Sequence, residues 1–220
     1  MKYKHIIWDW NGTLLDDRRL CVESINHVML KRNLPQINQE EYMDSFCFPV
    51  IEYYKKLGFD FSNESFFNVG IEFIEFYKKK FHEAALHDDT RQILHSVQRS
   101  GLTQSVLSAG EQLSLIGWIK AHELEGCFFM IKGVKDHYAS GKLGQGIEML
   151  SELLFKPDEF LLVGDTDHDS DVAKAMGIDC ILVSHGHMSY KRLANTGRRV
   201  VKNIEEVWQF IKLKNLFNQN

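Results

Sequence analysis

The stretch IIWDWNGTLLDD, residues 6–17, decides the fold of this chain. Two isoleucines and a Trp run directly into Asp9, and an Asn-Gly-Thr turn follows. A short apolar run that ends on a carboxylate and a tight turn is typical of a buried strand at the ligand-binding edge of an α/β enzyme. Asn11, two residues after that carboxylate, raises a question, because a second acid there would complete an acid/base pair.

Further apolar runs of strand length recur along the chain. Besides HIIW at 5–8, they are SVLS at 105–108, CFFMI at 127–131, FLLVG at 160–164 and CILVS at 180–184, with RRVV at 198–201 as a weaker sixth strand. Helical patterns follow at 111–122, 143–154 and 169–176, and a terminal helix is expected through IEEVWQFIKLKN. This alternation predicts an α/β fold with a Rossmann-like parallel sheet covered on both faces.

One long segment interrupts the alternation. From Asp17 to about residue 87 there is no convincing strand, and three helical patterns occur instead, the last two rich in Phe and Tyr. Asp16 or Asp17 would serve as the N-cap of the first helix. We therefore predict an α/β core of residues 1–16 and 88–220 and a helical cap of residues 17–87, inserted after the first strand. The aromatic residues would pack this cap, and part of them would line a pocket that faces the strand ends.

Composition limits the class of protein. The chain has 220 residues, 44% of them hydrophobic and 25% charged, as is ordinary for a soluble globular protein. A net charge of −4 offers no basic surface for nucleic acid, and no apolar run approaches the roughly 18 residues of a membrane span. The N-terminus lacks a signal-peptide pattern, and the four scattered cysteines are expected to be buried thiols. We expect a cytoplasmic protein, and its oligomeric state is open.

Polar residues follow several of the predicted strands. Ser108 ends the second strand, and the segment GDTDHDSD after FLLVG carries Asp165 and Asp169. Lys142 lies in the turn SGKLG, just before a helix. Because ligands bind at the carboxyl ends of parallel strands, we expect these groups to converge on Asp9.

These residues resemble a known family. DWNGTLLD, Ser108, Lys142 and GDTDHD are similar, in order, to the four motifs of the haloacid dehalogenase-like hydrolase superfamily, over residues 9–177. The helical segment lies where that superfamily often carries its cap, and the overall pattern resembles the phosphoglycolate phosphatase-like branch. The resemblance implies a phosphatase for a small phosphorylated metabolite. One departure is Leu143, where the family usually has Pro after the lysine, so Lys132 and Lys135 are alternatives to Lys142.

The resemblance also implies a Mg²⁺ site. Asp9 would attack the phosphorus and form an aspartyl-phosphate. Because a carboxylate and a phosphate dianion repel each other, a cation must screen both, and Mg²⁺ prefers oxygen ligands. The further protein ligands implied are the backbone carbonyl of Asn11 and the carboxylate of Asp165, with Asp169 acting through a water or by orienting Lys142.

The remaining roles concern the phosphate. Ser108 Oγ and the backbone N–H groups that follow it, beginning with Ala109, would hold phosphate oxygens. Lys142 would bind the phosphate too and neutralise charge in the transition state. An alternative for Ser108 is the N-cap of a helix, with Glu111 at the capping-box spacing.

Other polar residues of these loops admit simpler roles. Asp167 and Asp171 are expected to be solvated or capping acids. His185 and His187, in VSHGH, fit a surface loop better than a site, although they follow the fifth strand. His168, between two acids, is a candidate proton donor or substrate contact.

Asn11 separates the candidate functions. In relatives the acid at this position protonates the leaving group, which an Asn side chain cannot do at neutral pH. Asp9, Asn11 and Lys142 are nevertheless the candidate catalytic residues of a phosphatase. The alternative is a slow or inactive protein that binds a phosphometabolite. A dehalogenase and a phosphonatase are disfavoured because those relatives carry an aromatic residue and an Ala at this position, and a sugar-phosphate mutase would need the missing acid even more.

Overall fold

The computed structural model describes residues 2–135 and 141–217. The first part of the chain contains β1 (His5–Trp8), β2 (Leu15–Asp16), α1 (Arg18–Leu30), α2 (Gln39–Ser45), α3 (Val50–Lys56), α4 (Phe66–Lys80) and β3 (Ala85–Leu86). The short strands β2 and β3 pair antiparallel and bring the two ends of the helical segment together. We call Arg18–Lys80, which contains α1 to α4, the helical insertion.

The second part of the chain alternates strands and helices. Its elements are α5 (Thr90–Arg99), β4 (Thr103–Glu111), α6 (Gln112–Ala121), β5 (Ile131–Val134), α7 (Leu143–Glu152), β6 (Phe160–Gly164), α8 (Asp167–Met176), β7 (Asp179–Val183), α9 (Tyr190–Ala194), β8 (Arg199–Val201) and α10 (Ile204–Phe217). The six longer strands form one sheet in the order β5-β4-β1-β6-β7-β8, with every neighbouring pair parallel. The predicted α/β class and Rossmann-like sheet are confirmed.

The core lies on both faces of this sheet. Successive side chains of a strand point to opposite faces, so Ile6 and Trp8 belong to one apolar cluster and Ile7 to the other. All three are completely buried in the central strand β1. Tyr42 and Tyr53 of the helical insertion belong to the same cluster as Ile6 and Trp8. The insertion therefore shares its apolar packing with one face of the sheet.

Several local predictions were wrong. Residues 125–127 form a 3-10 turn and β5 begins only at Ile131, so the predicted strand at 127–131 is displaced toward the C-terminus. The second helical pattern is split into α2 and α3 before Pro49, which disfavours helix in the residue ahead of it. Asp17 does stand at the N-cap position of α1, as expected, but its side chain makes no capping hydrogen bond because its carboxylate is engaged elsewhere.

The expectations about membrane spans and about the cysteines can be compared with the structure. Over the described ranges, no helix is both long and apolar enough to cross a membrane. All four cysteines are free, as expected; three are buried, and Cys47 is half-buried.

Candidate active site

Three carboxylates meet at the carboxyl edge of the sheet. Asp9 follows β1, Asp165 follows β6, and Asp169 lies in the first turn of α8. One oxygen of each lies within 4.8 Å of the others, and all three residues are buried. We call Asp9, Asp165, Asp169 and the neighbouring Lys142 the carboxylate cluster.

Lys142 supplies the positive charge of this cluster. Its Nζ donates a hydrogen bond to Asp9 Oδ1, lies 2.6 Å from Asp169 Oδ1 and donates to the Leu107 carbonyl at 3.0 Å. The side chain is buried, at the residue directly before α7. Lys132 instead pairs with surface glutamates, and Lys135 is exposed. The structure thus brings Lys142, and neither alternative lysine, to Asp9, although Leu143 replaces the usual Pro.

The carboxylate cluster carries more negative than positive charge. Burial raises the pKa of Asp9. Lys142 acts in the opposite direction, but the two neighbouring carboxylates add to the increase, and the net shift is upward. Burial likewise raises the pKa of Asp165 to about 6. Burial opposes ionisation of Asp169 too, but Lys142 holds the pKa of that carboxyl below its ordinary value. Three buried acids with one lysine are incompletely neutralised, and a hard divalent cation with oxygen ligands fits this donor set.

Tight packing holds Asp165 in place. Its Oδ1 accepts from Thr13 Oγ1 at 2.8 Å and its Oδ2 from the backbone N–H of His187 at 2.6 Å. Gly12 has φ +76°, and a Cβ there would lie 2.3 Å from Asp165 Oδ2; a Cβ at Gly186 would lie 2.1 Å from the same oxygen. Only glycine fits these two positions while the carboxylate keeps its orientation.

Ser108 and Ala109 lie in β4 beside Asp9 and line the same cavity. Ser108 is buried, and its Oγ accepts a hydrogen bond from the Gly110 N–H at 3.0 Å. The N-cap of α6 is Glu111, whose carboxylate accepts from the N–H groups of the next helical turn. The alternative role of Ser108 as a helix cap is therefore wrong.

A second buried group centres on Asp17, which is completely buried. Its Oδ1 accepts from Gly12 N at 2.9 Å, and its Oδ2 accepts from Asn11 Nδ2 at 2.7 Å and from Tyr77 Oη at 2.8 Å. His187 Nε2 lies 3.2 Å from Asp17 Oδ1. We call Asn11, Asp17, Tyr77 and His187 the Asp17–His187 cluster.

The Asp17–His187 cluster is balanced in charge. Although burial opposes it, His187 lowers the pKa of Asp17 to about 2. Burial also disfavours the imidazolium, but Asp17 raises the pKa of His187 to about 9. Cys21 lies within 4.8 Å of both, and burial raises the pKa of its thiol, which donates to Asp17. One carboxylate and one imidazolium leave no charge for a metal to neutralise.

The Asn11 side chain belongs to this second cluster. Its Nδ2 donates to Asp17 Oδ2 and, at 3.1 Å, to Tyr77 Oη, so both amide hydrogens are engaged. Sequence reasoning did not single out Tyr77 for this site or pair Asp17 with His187. The available signals were the acid pair that ends LLDD and the position of VSHGH at the carboxyl edge of the sheet.

The histidines of these loops differ in burial and in contacts. The surface-loop expectation was wrong for His187, which is buried, and for His185, which is partly buried and stacks on His87 with ring centroids 3.7 Å apart. His168 lines the cavity and stacks on Phe48 at 4.4 Å. Burial lowers the pKa of His168, so its imidazole is neutral at pH 7.

The remaining acids of the fourth motif lie away from the cluster. Asp167 has its Oδ2 3.6 Å from the Arg192 guanidinium, and Asp171 is exposed. Neither residue is among those that line the cavity. Their expected role as surface acids agrees with these positions.

A cavity of about 240 Å³ opens on Asp9, Ser108 and Lys142. Both clusters contribute to its floor, through Asp169 as well as through Asn11, Asp17 and His187. Most of the rest of its wall comes from the helical insertion. The cavity places the two clusters and the insertion around one volume.

Comparison with known proteins gives consistent matches over this whole architecture. A family model described as haloacid dehalogenase-like hydrolase matches residues 6–183. PpaX of Caldanaerobacter subterraneus, a predicted pyrophosphatase, is 22% identical over 97% of this chain and 95% of its own length. The tyrosine-protein kinase PtkA of Mycobacterium tuberculosis is 24% identical over 89% of this chain and 67% of its own length. A predicted phosphoglycolate phosphatase from Haemophilus somnus superposes with a TM-score of 0.79 at 15% identity, covering 96% of this chain and 99% of that one.

Proposed function

This chain belongs to the haloacid dehalogenase-like hydrolases, and we propose that it is a Mg²⁺-dependent phosphatase for a small phosphomonoester. The observation that carries the proposal is the buried carboxylate cluster, which opens on a cavity. A cation bound there would screen the repulsion between Asp9 and a phosphate dianion and polarise the phosphoryl group. Its ligands would be Asp9, the Asn11 carbonyl and Asp165, with Asp169 in support.

The chain's own residues perform the transfer. A carboxylate oxygen of Asp9 attacks the phosphorus, the ester bond breaks, and an aspartyl-phosphate forms that water then hydrolyses. Ser108 Oγ and the Ala109 N–H hold phosphate oxygens. Lys142 neutralises developing charge, and Asp169 holds its ammonium group in position.

The division of the chain into a core and a cap belongs to the same proposal. Residues 17–87 would form the cap, which excludes water and selects the substrate, and residues 1–16 and 88–220 the core. The wall that the helical insertion gives the cavity supports this role. The alternative of a slow or inactive phosphometabolite binder rests on Asn11 alone.

Phosphate release from acetyl phosphate and para-nitrophenyl phosphate tests the proposal. We expect EDTA to abolish turnover and Mg²⁺, but not Ca²⁺, to restore it, because Ca²⁺ takes longer bonds and a looser coordination. Mass spectrometry after an acid quench should find a phosphoryl group on the peptide that contains Asp9. Hydrolysis that does not depend on metal would contradict the proposal. A shift of unfolding temperature with Mg²⁺ but no turnover would favour the binder.

A further inference from the structure

The cavity above Asp9 has an aromatic wall. Eight rings of the helical insertion line it, among them Phe46, Phe48, Tyr53, Phe66, Phe73 and Tyr77. Trp118 of α6 closes the side next to Tyr77, with ring centroids 5.5 Å apart. A phosphate held at Asp9 would therefore direct the group it carries into a space bounded by rings.

This wall offers few partners to a polar leaving group. Among the described lining residues of the insertion, Lys78 is the one charged side chain, and it is exposed. The Tyr77 hydroxyl already donates to Asp17, and the Tyr42 hydroxyl lies 3.2 Å from His187 Nδ1. The buried Tyr53 hydroxyl has no hydrogen-bond partner among the described residues, so it can meet one polar atom of a ligand but not the many of a sugar or polyanion. Burying a hydroxyl or a charge without a hydrogen-bond partner is unfavourable, so sugars and polyanions are poor occupants.

Asn11 imposes a second, independent restriction. Its amide hydrogens are bonded to Asp17 and Tyr77, and an amide does not transfer a proton. A leaving group that is stable as an anion needs no protonation. A phenolate, with a conjugate-acid pKa of about 10, meets this requirement far better than an alkoxide does.

The size of the cavity agrees with one ring. An apolar cavity of roughly 150 Å³ holds a benzene molecule. The volume of about 240 Å³ therefore accommodates one aromatic ring together with the phosphate at the Asp9 end. We propose that the substrates are aryl phosphomonoesters, phosphate esters of phenols whose single ring lies among the aromatic side chains.

This inference rests on the proposed phosphatase function and adds the substrate class. A carboxylate oxygen of Asp9 bonds to phosphorus as the bond from phosphorus to the phenolic oxygen breaks. The electron pair leaves on the phenolate, which later takes a proton from water. A second water then splits the aspartyl-phosphate into inorganic phosphate and free Asp9, so no oxidant or further reactant is needed.

Two experiments separate recognition of the ring from the chemistry of the leaving group. Phenylphosphonate and methylphosphonate carry no cleavable ester, and the first should bind at least about tenfold more tightly because burying a ring removes apolar surface from water. For turnover with Mg²⁺, we compare kcat/KM for phenyl phosphate with that for acetyl phosphate. Phe73→Ala should lower this ratio at least tenfold, chiefly through the KM for phenyl phosphate.

Phe67→Ala is the matched control. Phe67 lies on the same helix, is 45% exposed and does not line the cavity, so its substitution should leave the ratio unchanged. Equal binding of the two phosphonates, or kcat/KM for a hexose phosphate above that for phenyl phosphate, would overturn the substrate class. If no compound is hydrolysed, acetyl phosphate included, the proposed function is wrong. The phosphonate pair, measured by unfolding temperature, then decides the ring preference by itself.

Discussion

Two buried charged clusters lie side by side at the carboxyl edge of the sheet, and they differ in charge balance. The carboxylate cluster combines three acids with Lys142, whereas in the Asp17–His187 cluster one acid faces one imidazolium. His187 joins them, because its backbone N–H donates to Asp165 while its ring pairs with Asp17. Removing one partner of a balanced buried pair destabilises the fold, because the other is left as an unpaired buried charge. A cluster with excess negative charge fits a bound cation, as the proposed function requires.

The side chain of Asn11 belongs to the Asp17–His187 cluster, and this answers the question that the sequence raises. Its side chain is a hydrogen-bond donor to Asp17. A second ionised acid in the same place would put two carboxylates in contact within a buried site. The amide keeps the Asp17–His187 cluster balanced, and it leaves position 11 without a side chain that can transfer a proton.

The largest expected effect comes from the carboxylate cluster. Asp9→Asn should lower kcat for acetyl phosphate at least about a thousandfold, because it removes the proposed nucleophile. The fold should survive, since one of three crowded carboxylates becomes neutral, and without metal the unfolding temperature should not fall. Rates and unfolding temperatures are measured on the same preparations.

Asp171→Asn serves as the control for Asp9→Asn. Asp171 is an exposed acid of the fourth motif, so its loss should change neither quantity. More than about a tenth of the wild-type rate in Asp9→Asn would contradict the covalent mechanism.

The second prediction concerns the balanced cluster and its dependence on pH. Asp17 raises the pKa of His187 from 6.5 to about 9 in the folded protein. The stabilisation is therefore fully present below pH 6.5, declines as the pH rises and is lost above about pH 9, a change of roughly 3 kcal/mol. Urea unfolding in EDTA between pH 6 and 10 measures it as the difference between wild type and His187→Gln. Parallel curves over that interval would show that the pair contributes no such stability.

The sequence predicts features that a continuous motif specifies better than it predicts contacts between residues far apart in the chain. Asp9, Asp165 and the strands before them form continuous motifs, and the structure places them together at one edge. The Asp17–His187 pair joins residues 170 positions apart through side chains, and no local pattern specifies such a contact. The strand near 127–131 was misplaced because an apolar run does not by itself show burial: Phe129 is 65% exposed and precedes β5. The sequence predicts that some aromatic residues of the insertion line a pocket, but not which ones, since that depends on how α2, α3 and α4 pack.

The third prediction tests which cluster holds the metal. Mg²⁺ at about 100 times its dissociation constant should stabilise the wild type by about 2.7 kcal/mol, because it binds only the folded protein. Asp165→Asn should abolish this stabilisation. His187→Gln should retain it, since the backbone N–H that orients Asp165 is unchanged. If His187→Gln lost the Mg²⁺ effect and Asp165→Asn kept it, the metal would bind the Asp17–His187 cluster and the proposed site would be wrong.

The smallest expected effect comes from a substitution that would let the Asp17–His187 cluster supply a proton. Asn11→Asp puts a carboxyl group beside Asp17, and two buried carboxyls in contact retain a proton between them. That proton is available to a leaving alkoxide, so kcat for an alkyl phosphate should rise at least about tenfold, a modest share of the usual range for general acid catalysis. Phenyl phosphate should gain less, because its leaving group needs no proton. The free energy of unfolding should fall by about 1–3 kcal/mol, since the amide donor to Asp17 is lost.

The comparison requires verified wild type, because Asn11 precedes Gly12 and deamidation there would create an acid. Intact mass is therefore checked before each rate is measured. If wild type with an intact Asn11 hydrolyses the alkyl phosphate as fast as Asn11→Asp, another group supplies the proton. His168, which lines the cavity, is then the residue to change next. In that case Asn11 would not limit the rate for alkyl phosphates.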